Sequence, residues 1–219
     1  MMINFMKHRN LLLGIALILT TAAFVFWGVW GLNYNIDFTG GSLLEIKFKD
    51  TRPPLEEVRS VISNMNLGGD SSVQITGEQN FIIRFQQANE ETHQKIVSEL
   101  NSKYVDRFQE ERFESIGPAV GKELKTKALY SISLAVIAMI IYIAFTFKKV
   151  SYPVASWKYG VFASLALLHD VMIVVGLFAI LGHFAGVEVG LTFVAALLTV
   201  LGYSINDTIV VYDRVRENL

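Results

Sequence analysis

Four long apolar runs constrain the fold of this chain of 219 residues more than any other feature of its sequence. The first two runs, residues 11–32 and 128–147, contain no charged residue. The third run, residues 159–182, is interrupted by His169 and Asp170, and the fourth, residues 189–212, by Asn206 and Asp207. Each run has about 20 residues or more, which lets a helix cross roughly 30 Å of hydrocarbon. The sequence therefore predicts an α-helical integral membrane protein with four transmembrane helices.

A cleaved signal peptide is the alternative interpretation of the first run. Its apolar core is longer than the roughly 7–15 residues of a typical signal sequence, and no small-x-small cleavage site closes it. We therefore expect a retained helix.

Basic residues near the helix ends predict the orientation, because Lys and Arg are enriched on the cytoplasmic side. Lys122, Lys125 and Lys127 fall on the opposite side and follow this rule less well. We expect residues 1–10, 148–158 and 213–219 in the cytoplasm, with a domain (33–121) and a loop (183–188) outside it. The residues that carry the prediction are Lys7, Arg9, Lys148, Lys149, Lys158, Arg214 and Arg216.

The segment predicted to lie outside the cytoplasm is acidic. Residues 33–121 carry fourteen Asp and Glu against nine Lys and Arg, which gives a net charge of −5. An acidic domain is a poor candidate for binding nucleic acid, so we expect no nucleic-acid partner. The chain contains no Cys, so this domain must fold on its own core without disulfides.

Apolar periodicity predicts a small α+β domain in this segment. Alternating apolar residues predict strands at 43–48, 73–76, 81–85 and 108–116. Helical spacing predicts one helix from Pro53 to Met65, ended by Gly68-Gly69, and a second over residues 90–104. The order β-α-β-β-α-β predicts a ferredoxin-like fold, which by itself specifies no chemistry.

No enzyme signature is present in this domain. There is no Walker loop, no GxSxG and no metal-binding His spacing, so we expect no catalytic residue, no metal and no cofactor. His93 is the only histidine of the domain, and we expect it on the solvated surface. The acidic QEERFE segment is likewise expected to be a solvated face.

The Asn206-Asp207 pair in the fourth run is the most unusual feature of the apolar segments. A carboxylate at the bilayer centre costs about 3 kcal/mol or more, and Asp is too short to reach the interface. We therefore expect Asp207 to face the interior of the bundle or a wet cavity. A reversible proton-binding site is the interpretation that we favour, with helix–helix contact as the structural alternative.

His169 and Asp170 lie near the middle of the third helix. Adjacent helical residues point about 100° apart, so the two need not share a partner. Hydrogen bonding between helices is one interpretation, and a proton-relay role is the other.

Four motifs lie around these segments. NIDFTGGSLLEIKF starts at Asn35, SIGPAVGKEL ends just before the second helix, LLHDVMIVVG lies in the third, and GYSINDTIVVYDRVREN closes the fourth. Gly40-Gly41 predicts a tight turn in which glycine adopts positive φ, and Asp37 is expected to bond the amides of that turn. The motif residues singled out are Asp37, Phe38, Gly40, Gly41, Gly117, Pro118 and Gly121, with Asp213, Arg214 and Arg216 as an interfacial charge cluster.

Together these motifs resemble the SecF branch of the SecD/SecF family, in the bacterial Sec protein-export machinery and the resistance-nodulation-division superfamily. The resemblance implies a multi-pass protein of the inner membrane that uses the proton-motive force to promote preprotein export. It also implies SecD, the SecYEG channel, the translocating preprotein and membrane lipid as partners. The residues to which it assigns proton coupling are Asp207, Asn206, Asp170 and His169.

The resemblance implies six transmembrane helices, with an arginine of the fifth paired functionally with Asp207. Only four such runs are present, so the expectation is a shortened chain. Two other functions stay open: a small-molecule exporter of the same superfamily, and a structural scaffold that stabilises a partner. The small outer domain argues against the exporter, and the intramembrane carboxylates argue against the scaffold.

Overall fold

The computed structural model describes residues 5–65, 67, 71–86, 89–146 and 156–217, without the side chains of residues 5, 6, 156–159 and 216. The chain forms two compact units, one from residues 1–34 and 127–219 and one from residues 35–126. After a 3-10 turn at Phe5–His8, the elements are α1 (Arg9–Trp30), α2 (Ile36–Thr39), β1 (Gly41–Phe48), α3 (Leu55–Asn64), β2 (Ser71–Thr76), β3 (Asn80–Phe85), α4 (Glu90–Lys103), β4 (Phe108–Ile116), α5 (Pro118–Thr146), α6 (Ser156–Ala185) and α7 (Leu191–Glu217).

The four predicted membrane helices are present as α1, α5, α6 and α7. Among the described residues, these four are long and apolar enough to cross a membrane. Helix α5 begins ten residues before its apolar run, because Pro118 opens it with polar turns that hydropathy alone does not detect. Large apolar side chains such as Leu17, Leu134 and Phe145 are exposed, which suits a hydrocarbon environment. Residues 147–155, which include Lys148 and Lys149, lie outside the described residues.

Helix α6 packs closely against α1. A Cβ built on Gly176 would lie 2.5 Å from the Cβ of Ala23, which is too close for two non-bonded carbon atoms. Ala23 is buried with Met172 and Val175 around this crossing. A small residue lets two helices approach closely where lipid supplies no hydrophobic force between them.

The other side of the helical unit has its own core. Ile143 of α5, Ala163 and Leu167 of α6, and Leu201 of α7 are buried together. Helix α6 therefore contributes to both clusters and is the central helix of the described unit.

A short bridge joins the two loops at one end of these helices. The amide of Val189 donates to the carbonyl of Asn33 at 2.7 Å, and Tyr34 forms an isolated parallel bridge with Val189. The segment that follows α1 is thereby bound to the loop between α6 and α7.

The second unit contains a four-stranded sheet in the order β2-β3-β1-β4, in which each pair of neighbours is antiparallel. The predicted order of strands and helices is confirmed, and the bounds of β4 agree. Strands β1 to β3 begin one or two residues earlier than predicted. The core lies between the sheet and the apolar faces of α3 and α4, and includes Leu44, Phe81, Ile62 and Leu100. Gly68 and Gly69, predicted to end α3, lie outside the described residues.

The prediction that His93 is solvated is wrong. His93 is only 6% exposed, and its ring stacks on Phe113 of β4 with the ring centroids 4.0 Å apart. Its Nδ1 lies 3.0 Å from Glu90, and its Nε2 lies 3.1 Å from both carboxylate oxygens of Glu110. Hydrogen bonds from Gln94 and His93 lower the pKa of Glu90. The contacts with β4 join residues far apart in sequence, so the local pattern around His93 could not reveal them.

A second polar contact joins α3 to the end of α4. The hydroxyl of Tyr104 donates to Glu57 at 3.1 Å, and the Lys103 ammonium lies 3.1 Å from the same carboxylate. Burial and this hydrogen bond raise the pKa of Tyr104 to about 12, while Lys103 and Tyr104 lower the pKa of Glu57. The contribution of Tyr104 to stability is therefore present below its unfolded pKa, and is lost as pH rises through about 12. That of Glu57 is present above its unfolded pKa of 4.5 and is lost as pH falls through its lowered pKa.

The close crossing of α1 and α6 makes Gly176 sensitive to enlargement. Gly176→Ala forces the helices apart, and overpacking of this kind typically costs about 1–3 kcal/mol. Gly160→Ala is the matched control in the same helix, because no atom lies within 4 Å of a Cβ built there. We expect thermal unfolding in detergent to occur at a lower temperature for Gly176→Ala alone. Equal midpoints for the two variants would contradict the crossing.

Candidate functional site: a polar layer within the membrane helices

Polar side chains meet near the middle of three apolar helices. His169 and Asp170 are the fourteenth and fifteenth of the 30 residues of α6. Thr20 is the twelfth of the 22 residues of α1, and Ser204 is the fourteenth of the 27 residues of α7. At about 1.5 Å per residue, each lies roughly 15 Å or more from both ends of its helix. We call Thr20, His169, Asp170 and Ser204 the polar layer.

On the α1 side of the layer, His169 contacts Thr20. The Oγ1 of Thr20 lies 2.5 Å from Nδ1 of His169, and the same hydroxyl donates to the carbonyl of Ala16 at 2.8 Å. A hydroxyl has one hydrogen to donate. A His169 tautomer with its hydrogen on Nδ1, donating to Thr20, would satisfy both contacts of that hydroxyl.

On the α7 side of the layer, Asp170 contacts Ser204. The hydroxyl of Ser204 donates to Oδ2 of Asp170 at 2.5 Å. The two adjacent residues of α6 thus bond to different helices, as their separation of about 100° predicts. Interhelical hydrogen bonding is confirmed for His169 and Asp170. Their role in proton relay stays a prediction.

Asp207 and Asn206 do not join these contacts. Both side chains are exposed, because the face of α7 that carries Asp207 is not covered by α1, α5 or α6. The expectation that Asp207 faces the interior of the complete bundle or a wet cavity stays a prediction. An ionised carboxylate facing hydrocarbon is costly, so in a membrane this face requires protein or water against it.

An apolar cavity of about 90 Å³ lies beside the layer. Its one polar lining residue, Ser164, donates its hydroxyl to the carbonyl of Gly160 at 2.8 Å in its own helix. This lining therefore offers a water molecule no free hydrogen-bond partner. The lining residues are Val136, Ile140, Ser164, Leu167, Leu168, Val171 and Leu201.

The two glycine motifs meet in the second unit. Gly40 and Gly41 have φ of +73° and +119°, so the predicted glycine turn is confirmed. A Cβ on Gly40 would lie 2.7 Å from Cα of Pro118, and one on Gly121 would lie 2.8 Å from the nitrogen of Gly40. The double-glycine turn therefore packs directly on the first turn of α5, which explains Gly40 and Gly121. A Cβ on Gly41 would instead lie 2.9 Å from the carbonyl oxygen of Phe85, and one on Gly117 would meet no atom within 4 Å.

Asn35 holds this turn together, a role that its sequence context alone did not assign. Its side chain accepts a hydrogen bond from the amide of Asp37 at 2.9 Å and so caps α2. Its amide nitrogen donates to the carboxylate of Asp37 at 3.1 Å. Asn is a preferred capping residue, so its position before IDFT was an available signal.

The predicted interfacial cluster is only partly described. Arg214 pairs with Glu217 at 2.7 Å in an exposed position, and the side chain of Arg216 lies outside the described residues. An interfacial role for Asp213, Arg214 and Arg216 stays a prediction. Among the described residues, no group of three or more His, Cys, Asp or Glu side chains is arranged to hold a metal ion.

These features define the class of the protein. Four apolar helices, three of them joined by polar contacts at mid-length, and a small antiparallel α+β unit define a multi-pass membrane protein with ionisable groups inside its helical unit. Two family profiles match the chain. The profile "Protein export membrane protein SecD/SecF, C-terminal" matches residues 96–219, and the "SecD/SecF GG Motif" matches residues 25–51. The chain belongs to the SecD/SecF family.

Individual relatives agree with the profiles. The protein translocase subunit SecF of Anaerolinea thermophila is 37% identical over 218 residues, covering 99% of this chain and 70% of the relative. That of Pseudomonas aeruginosa is 35% identical, with coverage of 99% and 67%. The crystal structure of SecDF, a translocon-associated membrane protein from Thermus thermophilus, matches with a TM-score of 0.82 and 30% identity. That match covers 99% of this chain, which spans 28% of the SecDF chain.

Packing of the glycine turn on α5 predicts different effects for two glycines with positive φ. Gly40→Ala meets both backbone strain and the backbone of Pro118, whereas Gly77→Ala at φ +56° meets strain alone, since no atom lies within 4 Å. With φ +73° and ψ 172°, Gly40 occupies a backbone region that essentially only glycine adopts, and strain of this kind costs about 1–3 kcal/mol. We expect Gly40→Ala to increase hydrogen exchange of β1 amides, measured on the full chain in detergent, several-fold more than Gly77→Ala. An equal increase would contradict the contact.

Proposed function

We propose that this chain couples the proton-motive force to preprotein export, as a non-enzymatic auxiliary subunit of the Sec translocase. The observation that carries the proposal is the hydrogen bond between Asp170 and Ser204 near mid-membrane, with Asp207 three residues further along α7. Membership of the SecD/SecF family supplies the protein-export context.

Protonation changes the forces between helices in a defined way. An ionised Asp170 accepts strongly from Ser204, because hydrogen bonds to a charged acceptor are roughly twice as strong as neutral ones. Adding a proton weakens that bond and removes the cost of the buried charge. The packing of α6 against α7 then has two states, which differ by the proton.

The available energy is sufficient for such a switch. One charge that crosses 100 mV supplies about 2.3 kcal/mol. Since about 1.4 kcal/mol changes an equilibrium tenfold, a single proton can shift the balance between two helix arrangements by more than tenfold. Energy from several protons would permit repeated cycles during the export of one preprotein.

The bridge between loops offers a mechanical connection. The loop between α6 and α7 is hydrogen-bonded through Val189 to Asn33, in the segment that follows α1. Two residues later, Asn35 begins the second unit. A movement of α6 or α7 would therefore act on the segment that leads into that unit.

The α+β unit is proposed to have a ferredoxin-like fold and to lie outside the cytoplasm. The sheet order β2-β3-β1-β4, with α3 and α4 as crossovers, supports a ferredoxin-like classification. The distribution of Lys and Arg supports an inner-membrane protein with a cytoplasmic N-terminus and the α+β unit outside. SecD, the SecYEG channel and the translocating preprotein are the proposed partners. The SecDF match supports association with SecD.

A structural scaffold is the second candidate. The contacts of Thr20 with His169 and of Ser204 with Asp170 join three helices whether or not a proton moves. This candidate requires only hydrogen bonds, whereas the proposal requires groups that titrate. Substitutions that keep hydrogen bonding and remove titration therefore separate the two.

The proposed topology can be tested with reporter fusions. A reporter that is active only outside the cytoplasm is expected to be active when fused after Gly77 or Gly186. Fused after Ser151, it is expected to be silent, because the loop there is basic. An active fusion at Ser151 would overturn the orientation.

Asp207→Asn tests proton coupling directly. The amide keeps the size and most of the hydrogen bonding of the carboxylate but cannot titrate. We expect export driven by the proton-motive force to fall at least tenfold at matched protein levels. Asp170→Asn is expected to have a milder effect, and Asp207→Glu to retain part of the activity.

Glu188→Gln is the matched control, because it removes a carboxylate from the loop before α7 instead of from the middle of that helix. Export is expected to stay at the wild-type level in this variant. Wild-type export by Asp207→Asn would leave the scaffold as the remaining candidate.

A further inference from the structure

Ser204 stands between two carboxylates of the helical unit. Its hydroxyl is directed at Asp170 on α6, and Asp207 lies three residues further along α7. Residues three apart on a helix have Cβ atoms about 5–6 Å from each other. Cα–Cβ bonds of a helix tilt toward its N-terminus, so the side chain of Asp207 leaves the helix on the side of the turn that carries Ser204.

The mid-helix region offers few other groups that could exchange a proton. Helices α1 and α5 contribute no Asp, Glu, Lys, Arg or His between residues 10 and 30 or between 128 and 146. Helix α6 contributes His169 and Asp170, and His169 is directed at Thr20 on α1. Helix α7 contributes Asp207. Among the described helices, the two carboxylates are therefore the acidic groups of the region, and Ser204 is the hydroxyl bonded to one of them.

We propose that Ser204 is a relay residue of the proton pathway. It holds Asp170 by a hydrogen bond and passes protons between Asp207 and Asp170. The inference rests on the proposed function and adds to it a specific route. Asp207 is exposed and therefore accessible to water or to a partner, whereas Asp170 is half-buried between α6 and α7. The route thus runs from an accessible carboxylate to one that lies within the helix contact.

The transfer balances without a further reactant. Protonated Asp207 donates its hydrogen to the Ser204 oxygen, directly after a rotation of the Asp207 side chain or through one water molecule. Ser204 releases its own hydrogen to the Asp170 carboxylate along the existing hydrogen bond. One O–H bond breaks and one forms at Ser204, Asp207 becomes ionised and Asp170 becomes neutral. Reversal of the same steps returns the proton.

The route also explains how the proton would alter helix packing. Once Asp170 is neutral, it no longer accepts a charge-assisted hydrogen bond from Ser204. The proton therefore weakens the contact through which it arrived. The proton is transferred, and the contact between α6 and α7 is weakened, at the same two atoms: the hydroxyl oxygen of Ser204 and Oδ2 of Asp170.

Ser204→Thr and Ser204→Val test the inference, because their side chains have nearly the same shape and differ in the hydroxyl. Export driven by the proton-motive force is measured in membrane vesicles with SecD and SecYEG, at matched protein levels. We expect Ser204→Thr to keep export within about twofold of wild type and Ser204→Val to reduce it at least tenfold. Ser204→Ala removes the hydroxyl without adding a methyl group, and it replaces Ser204→Val if that variant fails to assemble.

Ser164→Ala is the matched control in α6, since among the described residues this half-buried hydroxyl bonds only within its own helix. It is expected to export as wild type. Equal loss in Ser204→Thr and Ser204→Val, or wild-type export in Ser204→Val or Ser204→Ala, would overturn the relay. If Asp207→Asn abolishes export while Ser204→Val does not, the relay fails and proton coupling stands. If both export as wild type, the proposed function fails as well.

Discussion

Hydrocarbon offers no hydrogen-bond partner, so every polar group in the middle of these helices must find one in protein or in water. This constraint fixes the arrangement of α1, α6 and α7. His169 can be accommodated because it bonds to Thr20 on α1, and Asp170 because Ser204 on α7 donates a hydrogen bond to it. Helix α6 carries both groups and is therefore held from two sides.

Two kinds of contact have different consequences for movement. The crossing of Gly176 with Ala23 and the packing of Gly40 on Pro118 are close contacts between atoms that do not titrate. Protonation therefore leaves these contacts unchanged. The contact of Asp170 with Ser204 depends on charge, and a proton alters its strength. In our account, the helix pair α6 and α7 is the adjustable part of the molecule, and the glycine contacts are the parts that keep their geometry during a cycle.

Local patterns in the sequence predicted the elements well, because each pattern reports the burial of one helix or strand. The four apolar runs, the strand β4 and the glycine turn at Gly40 were found where expected. The early start of α5 was missed, since its first turns are polar. His93 was misplaced, because Phe113 and Glu110 reach it from another part of the chain.

Some residues of the site could be predicted from the sequence, but the contacts between them could not. An ionisable group inside an apolar run is visible in sequence, and this identified His169, Asp170 and Asp207. Their partners were not visible, because Thr20 and Ser204 are ordinary residues for membrane helices and the pairing depends on how α6 packs between its neighbours. The exposed position of Asp207 was unpredictable for the same reason. Exposure of a side chain depends on which helices cover its face.

Proton binding by the intramembrane carboxylates is the central claim of this account. Infrared difference spectroscopy measures it directly, because a protonated carboxyl group has a C=O stretching band that an ionised one lacks. Acidification from about pH 8 to about pH 6 leaves solvated carboxylates, with a pKa of about 4, ionised. Over this range the purified complex with SecD is predicted to show such a band, which loses intensity in Asp207→Asn and in Asp170→Asn but not in Glu188→Gln. A band that is unchanged in both intramembrane variants would contradict the account.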